Sequence, residues 1–281
     1  MTRVCFAGVT GWTAPPIVAA IDAADDLALV SGVSRSAAGR RLADVTASAS
    51  AGPVCATVAE ALASVGADVL VDYTSAAAVR EDVETAVRAG VHVVVGSSGL
   101  TAGDYADLDR LAREHGVGVI AAGNFSVMAA VLQRAATLAA RHVGSWEVLD
   151  YAAATKPDVP SGTARELAET LGEVRAPGSA VALQDLHGPV EARGADVAGT
   201  RVHSVRLPGF VLATEVVFAA GGERLTLRHD TGESPAPYVD GTLLAVRRVA
   251  EVPGVRRGLD RLLFDDPPDA APSGGPEGTR A

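Results

Sequence analysis

The sequence predicts an α/β protein: a doubly wound parallel sheet with a second, mixed sheet of α+β type. Three observations carry this. Short apolar runs alternate with helical patterns through the first half of the chain. A glycine-rich turn, Gly8-Val9-Thr10-Gly11-Trp12-Thr13-Ala14, closes the first of those runs. Beyond residue 145, strand patterns follow one another with few helices between them.

The first-half strands are expected at 4–8, 27–33, 69–73, 92–96 and 117–121, each a short apolar run, and the stretch 54–65 is expected to cover a short strand and a helix. Further helices are expected between the strands at 15–24, 76–89 and 102–115, and a long apolar helix at 127–142. Strand followed by helix, repeated, is the signature of parallel β-α-β units. In the second half, strands are expected at 146–151, 202–207, 211–219 and 224–229, and a helix begins near Pro160-Ser161-Gly162-Thr163. The stretch 172–200, rich in Gly, Ala and charge, reads as a long loop, and helices resume at 237–249 and 255–264. The tail 265–281, polar and rich in Pro and Gly, reads as disordered.

Composition excludes several classes of function. A net charge of −10 argues against nucleic acid or an anionic membrane as the main partner. The two cysteines, Cys5 and Cys55, have no metal-ligand spacing, and the six histidines are dispersed, so no metal is expected. No apolar run is long enough to span a bilayer, and the start turns to glycine too early for a signal peptide. The cytoplasm is the expected location. Aromatics are only 4%, so the core must be built from Ala, Val and Leu.

The Gly8–Ala14 turn is a G-x-x-G-x-x-A pattern after a strand and before a helix, the context of a Rossmann-type dinucleotide site. Glycines let the backbone approach a pyrophosphate, which rests on the helix N-terminus. An NAD site usually has an acid at the end of the second strand, on the ribose 2′-hydroxyl. Here Ser34 and Arg35 stand in that place, with Arg40 and Arg41 nearby. Serine and arginine suit a 2′-phosphate, so NADPH is favoured, with NADH possible. Two further strand ends, Asp72-Tyr73-Thr74 and Gly96-Ser97-Ser98-Gly99, point to the same crevice.

These motifs, with VLVDYTS (69–75), VVVGSSGL (93–100), AAGNFSVM (121–128), KPDVPSGTA (156–164), VHSVRLPG (202–209) and GERLTLRH (222–229), resemble the dihydrodipicolinate reductase family. The resemblance runs to about residue 264. It implies a dinucleotide-binding domain of residues 1–124 plus 235–264, an inserted substrate and oligomerisation domain of 125–234, and a homotetramer. It implies a cofactor role for Gly8, Gly11, Trp12, Thr13, Ser34, Arg35, Tyr73, Thr74, Gly96, Ser98, Asn124 and Phe125. It also implies that Ser161, Gly162 and Thr163 hold a substrate carboxylate, with Lys156 over the substrate as the catalytic residue.

Three departures stand out, and the first two fall on the substrate side. The family has a His-His pair before the lysine, the first being its usual proton donor; spacing back from Lys156 puts Ala152 and Ala153 there. The family arginine that follows the stretch matching Arg228-His229 has no counterpart in Gly232-Glu233-Ser234-Pro235, and Thr13-Ala14 replaces Met-Gly. Without imidazole, either the substrate arrives as an iminium ion or another group donates: Tyr151, Lys156, Asp158 or His203. Three alanines, 152–154, are expected to enlarge and dry the pocket, and the few cations favour one substrate carboxylate over two. The expected activity is NADPH-dependent reduction of a carboxylate-bearing cyclic imine, iminium or conjugated imine. Two alternatives stand beside it: 4-hydroxy-tetrahydrodipicolinate reduction in lysine biosynthesis, and a non-catalytic NADPH-binding regulator.

Overall fold

The structure, a computed structural model, describes residues 1–264; the tail expected to be disordered lies outside them. The chain begins with β1 (Thr2–Ala7), α1 (Ala14–Ala23), β2 (Leu27–Val33), a short α2 (Leu42–Val45), β3 (Val54–Cys55) and α3 (Val58–Ser64). It continues with β4 (Val69–Asp72), α4 (Val79–Arg88), β5 (His92–Val95), α5 (Ala102–His115), β6 (Gly118–Ala121) and α6 (Val127–His142). Then come β7 (Trp146–Ala152), α7 (Gly162–Val174), β8 (Ala195–Val197), β9 (Thr200–Arg206), β10 (Leu212–Ala220) and β11 (Glu223–Thr231). The described chain closes with α8 (Val239–Arg248), β12 (Gly254–Arg257) and α9 (Leu259–Phe264).

Seven strands form one sheet in the order β12-β6-β5-β4-β1-β2-β3. Every pairing in it is parallel. Strand side chains alternate between faces, so Val4 and Phe6 enter the core against α1, α8 and α9, while Cys5 and Ala7 enter the core against α3, α4 and α5. Burial pushes the Cys5 thiol up to about 12, as befits a small core residue. The strand order reverses between β1 and β4, and at such a point the strand ends splay to open a crevice.

Five strands form the second sheet, ordered β11-β10-β7-β9-β8. Only β7 and β9 run parallel, so this sheet is mixed. Its inner face carries Trp146, Val148, Val216 and Phe218 against α6 and α7, whose Leu132, Ala136, Leu167 and Leu171 complete a third core. Among the described residues no helix is long and apolar enough to cross a membrane.

Two expectations fail. The helix expected over 255–264 is a strand, β12, and then a one-and-a-half-turn helix. Gly254 and Gly258 hold positive φ values of 101° and 88° that bracket the strand. Between them the backbone pairs with β6 and not with itself. The expected loop 172–200 contains the end of α7 and the short β8, which pairs with β9 through Ala195–Val197. Three residues paired at a sheet edge leave almost no periodic signal in a sequence.

Candidate active site

The turn after β1 is shaped by close backbone approach. Gly8 has φ +83°, and a Cβ there would stand 2.2 Å from the Tyr73 carbonyl oxygen. Its own carbonyl takes the Gly11 N–H at 2.8 Å, which folds the turn onto α1. Pro15 and Pro16 lie in the first turn of α1 and have no N–H to offer. The amides of Trp12 and Thr13 have no backbone partner among the described residues. A phosphate fits this turn: two amides without a backbone partner lie between Gly11 and the start of α1.

At the end of β2, Ser34 Oγ lies 2.9 Å from Thr10 Oγ1 and 3.1 Å from Ser36 Oγ. Arg35 is exposed and makes no ion pair among the described residues. Arg41 is held by both Asp44 oxygens at 3.1 Å, whereas Arg40 donates only to the Asp44 backbone carbonyl, so Arg35 and Arg40 are the cations left to meet an anion there.

The ends of β4 and β5 are tied by a buried acid. Asp72, fully buried, accepts from Thr74 Oγ1 at 2.9 Å, from Thr74 N at 3.2 Å and from Ser97 Oγ. Burial raises the Asp72 carboxyl; partial burial, then the neighbouring Asp72 charge, pushes Asp82 up to about 7. Tyr73 lies over Phe6 at 5.9 Å and donates to or accepts from Thr242 Oγ1 at 2.7 Å. Burial raises its phenol. A Cβ on Gly96 would strike the Tyr73 ring at 2.2 Å, so glycine there is required by packing.

One cavity of about 250 Å³ joins these elements to the second sheet. Trp12, Thr13, Tyr73, Gly96, Ser98, Asn124 and Phe125 line it together with Lys156, Ser161, Gly162 and Thr163. The two groups meet closely: Asn124 Nδ2 lies 3.2 Å from Thr163 Oγ1, and a Cβ on Gly162 would stand 3.7 Å from Ser98 Cβ. Thr74 does not line the cavity but sits in the Asp72 cluster, and Gly8, Gly11, Ser34 and Arg35 do not line it either; Gly8 packs on the Tyr73 backbone, and Ser34 bonds Thr10 in the same turn. Ser97, Asp158, Leu212 and Tyr238 also line the cavity, and sequence reasoning gave Leu212 and Tyr238 no role. Tyr238 packs edge-on against Trp12 at 6.1 Å, a contact between residues 226 positions apart that no motif signals.

The anion seat is narrower than its sequence suggests. Ser161 caps α7 by accepting the Ala164 N–H, and its own N–H is taken by Asp150 Oδ2 at 2.9 Å. The Thr163 hydroxyl donates to the Gly123 carbonyl at 3.1 Å. The groups left to meet an anion are the amides of Gly162 and Thr163 at the helix start, together with Lys156. Lys156 Nζ lies 2.9 Å from Asp158 Oδ2, paired in charge though not aligned as a hydrogen bond.

The two halves of the chain match known proteins in order. Residues 2–125 match the model for the N-terminus of dihydrodipicolinate reductase and residues 125–263 that for its C-terminus. The chain belongs to the dihydrodipicolinate reductase family. It is thereby an oxidoreductase. It is 35% identical over 262 residues to the 4-hydroxy-tetrahydrodipicolinate reductase of Geobacillus kaustophilus, covering 93% of this chain and 98% of that one. With the enzyme of the same name from Streptomyces avermitilis the identity is 37% over 267 residues, 93% of this chain and 97% of that one. A dipicolinate-bound dihydrodipicolinate reductase from Paenisporosarcina sp. TG-14 superposes with a TM-score of 0.72 at 28% identity, covering 93% of this chain and 99% of that one.

Against that family, the two positions that the resemblance matches to an imidazole pair hold Ala152 and Ala153. The alanines 152–154, expected to enlarge the pocket, do not form its wall. Ala152 is completely buried where β7 pairs with Leu212 of β10. Two of the four expected proton donors are also excluded by position. Tyr151 stacks on Phe210 at 5.2 Å under the Arg228 guanidinium, on the outer face of the sheet. His203 is held by Glu147 at 2.7 Å on that same face. Lys156 and Asp158 remain at the cavity.

Proposed function

We propose that this chain is an NADPH-dependent reductase of a cyclic imine, iminium or conjugated imine bearing one carboxylate, working without imidazole. The carrying observation is the shared cavity, lined both by residues at the strand ends of a dinucleotide-type crevice and by a helix-start anion seat with one lysine. Reduction of C=N adds a hydride to carbon and a proton to nitrogen. Bound NADPH would supply the hydride. On this reading the Trp12 and Thr13 amides hold a phosphate, Ser34 and Arg35 the 2′-phosphate, and Tyr73, Thr74, Gly96, Ser98, Asn124 and Phe125 the nicotinamide side. The amides of Gly162 and Thr163, set by the Ser161 cap, hold the substrate carboxylate. Lys156 orients the electrophile and, where the substrate is a neutral imine, gives it the proton.

The charge around the seat supports a single carboxylate. Lys156 is the one cation on the cavity wall among the described residues, and Asp158 partly neutralises it. Arg206, which does not line the cavity, is committed to Asp150 and to the Asp158 carbonyl, each at 2.7 Å. The division into a dinucleotide domain of 1–124 plus 235–264 and a substrate domain of 125–234, and a homotetrameric assembly, belong to this same proposal. The packing of α8 and α9 on the first sheet supports the former.

A second reading has its own support: relatives that cover 93% of the chain at 35–37% identity are named 4-hydroxy-tetrahydrodipicolinate reductase. One assay separates them. Purified chain with NADPH is offered five- and six-membered cyclic imino acids with one carboxylate and, separately, 4-hydroxy-tetrahydrodipicolinate, and NADPH oxidation is followed. Turnover of the mono-acids supports the first reading; turnover of the di-acid alone supports the second. Tight NADPH binding without turnover, indifferent to Lys156→Ala, would leave a non-catalytic binder.

A further inference from the structure

Gly123 is gripped at both its backbone groups by the helix that carries the anion seat. Its N–H donates to Glu166 Oε2 at 2.8 Å, and its carbonyl accepts the Thr163 hydroxyl at 3.1 Å. That hydroxyl also accepts from Asn124 Nδ2 at 3.2 Å, and Asn124 Oδ1 accepts the Ser126 N–H at 2.8 Å. No side chain fits at position 123, since a Cβ would stand 2.5 Å from the Gly162 carbonyl oxygen. The turn between β6 and α6 is therefore locked onto the first turns of α7. The turn brings Asn124 and Phe125 to the cavity wall, and α7 brings Gly162 and Thr163 to the same wall beside them.

Glu166 itself does not line that cavity. It lies in a separate cleft of about 250 Å³ between α5, β12 and α7, beside the Glu169–Arg257 ion pair. It is 7% exposed, and its hydrogen bond to Gly123 is the only one it makes among the described residues. Burying a carboxyl is costly, and apolar contacts of Leu167, Ala168 and Leu171 already dock α7 on the sheet. What Glu166 adds is the tie to the turn.

We propose that Glu166 is a positioning residue that couples the two ligand subsites: by holding the Gly123 amide against α7, it makes dinucleotide and carboxylate binding cooperative. The proposal rests on the reading above, that the cavity takes both ligands. A ligand that orders the 122–125 turn then also orders the Thr163 end of the seat, and the effect is reciprocal.

The test is calorimetric titration of the full chain with NADPH, with dipicolinate as the carboxylate probe, and with each in the presence of the other at saturation. In the wild type each ligand tightens the other by the same factor, about fivefold or more. Glu166→Asp keeps a carboxyl but withdraws it by one methylene; the factor falls below about 2, while each ligand alone binds within about threefold of the wild type. Glu166→Gln keeps an acceptor at the original reach and retains the factor. Hydrogen exchange of segment 120–126 without ligand gives an independent readout, faster in the Asp variant and unchanged in the Gln variant, with circular dichroism checking the fold. Independent binding in the wild type, or undiminished coupling in Glu166→Asp, overturns the proposal while leaving the functional reading intact. Failure of either ligand to bind the wild type overturns both.

Discussion

Arg206 Nη2 meets Asp150 Oδ2 at 2.7 Å, and the Asp150 carboxylate is completely buried. Burial works to raise this carboxyl, but hydrogen bonds from Ser161 and Arg206 outweigh it and hold it below the usual range. The same oxygen accepts the Ser161 N–H and the Ser204 hydroxyl, so the start of α7 is fixed through it. Arg206→Met leaves a buried charge without its partner and is expected to cost about 3–5 kcal/mol. Adding Asp150→Asn recovers part of that, because the unpaired charge goes with it. Denaturant titration checks both; a loss under about 1 kcal/mol in the single variant contradicts this account.

The turn at Gly8 has a built-in control. Gly8 and Gly39 share φ +83°, but a Cβ on Gly39 meets nothing within 4 Å, whereas one on Gly8 strikes the Tyr73 carbonyl. Gly39→Ala isolates the backbone strain, roughly 1 kcal/mol. Gly8→Ala adds the clash and is expected to lower the melting temperature by clearly more, and to weaken NADPH binding besides. Equal melting shifts would show that the turn yields freely.

Much of this architecture was legible because periodic patterns and glycines encode local geometry. The parallel strands and the bounds of β2, α5 and α6 follow from apolar runs and helical periodicity, and Thr101 and Ser126 cap the two helices in the structure. What stayed hidden depends on contacts between distant residues. The edge strand β12 reads as helix until β6 pairs with it. The hydrogen bond from Tyr73 to Thr242 spans 169 positions, and the one from Gly123 to Glu166 joins a glycine to what reads as an ordinary helical acid. The face on which Tyr151 and His203 lie was likewise fixed only by register within the second sheet.

Cofactor choice should turn on Arg35. A hydrogen bond to a charged group is worth about 1.5–3 kcal/mol, so Arg35→Ala is expected to weaken NADPH roughly 10- to 150-fold. NADH, lacking the 2′-phosphate, should change by less than about twofold, since no contact to it is lost. Competitive titration of the two dinucleotides measures this. A wild type that binds both equally would remove the 2′-phosphate role assigned to Ser34 and Arg35.

Glu166 should also make stability depend on pH. Burial pushes its carboxyl from 4.5 up to about 7. Below the lower value it is protonated whether the chain is folded or not, and it costs nothing. Between the two values the unfolded chain gives up the proton and the folded chain keeps it, so stability falls as pH rises. Above about 7 the full penalty of a buried charge is present, up to about 3 kcal/mol. Glu166→Gln cannot ionise and keeps the Gly123 bond. Its advantage over the wild type should therefore be larger at pH 8 than at pH 5, by an amount approaching that figure. Asp82, also pushed up to about 7, acts in the same direction, but it is present in both proteins and cancels in the difference. Paired denaturation curves at the two pH values give the result directly. A gap that does not change with pH would mean that Glu166 keeps an ordinary carboxyl in the folded chain.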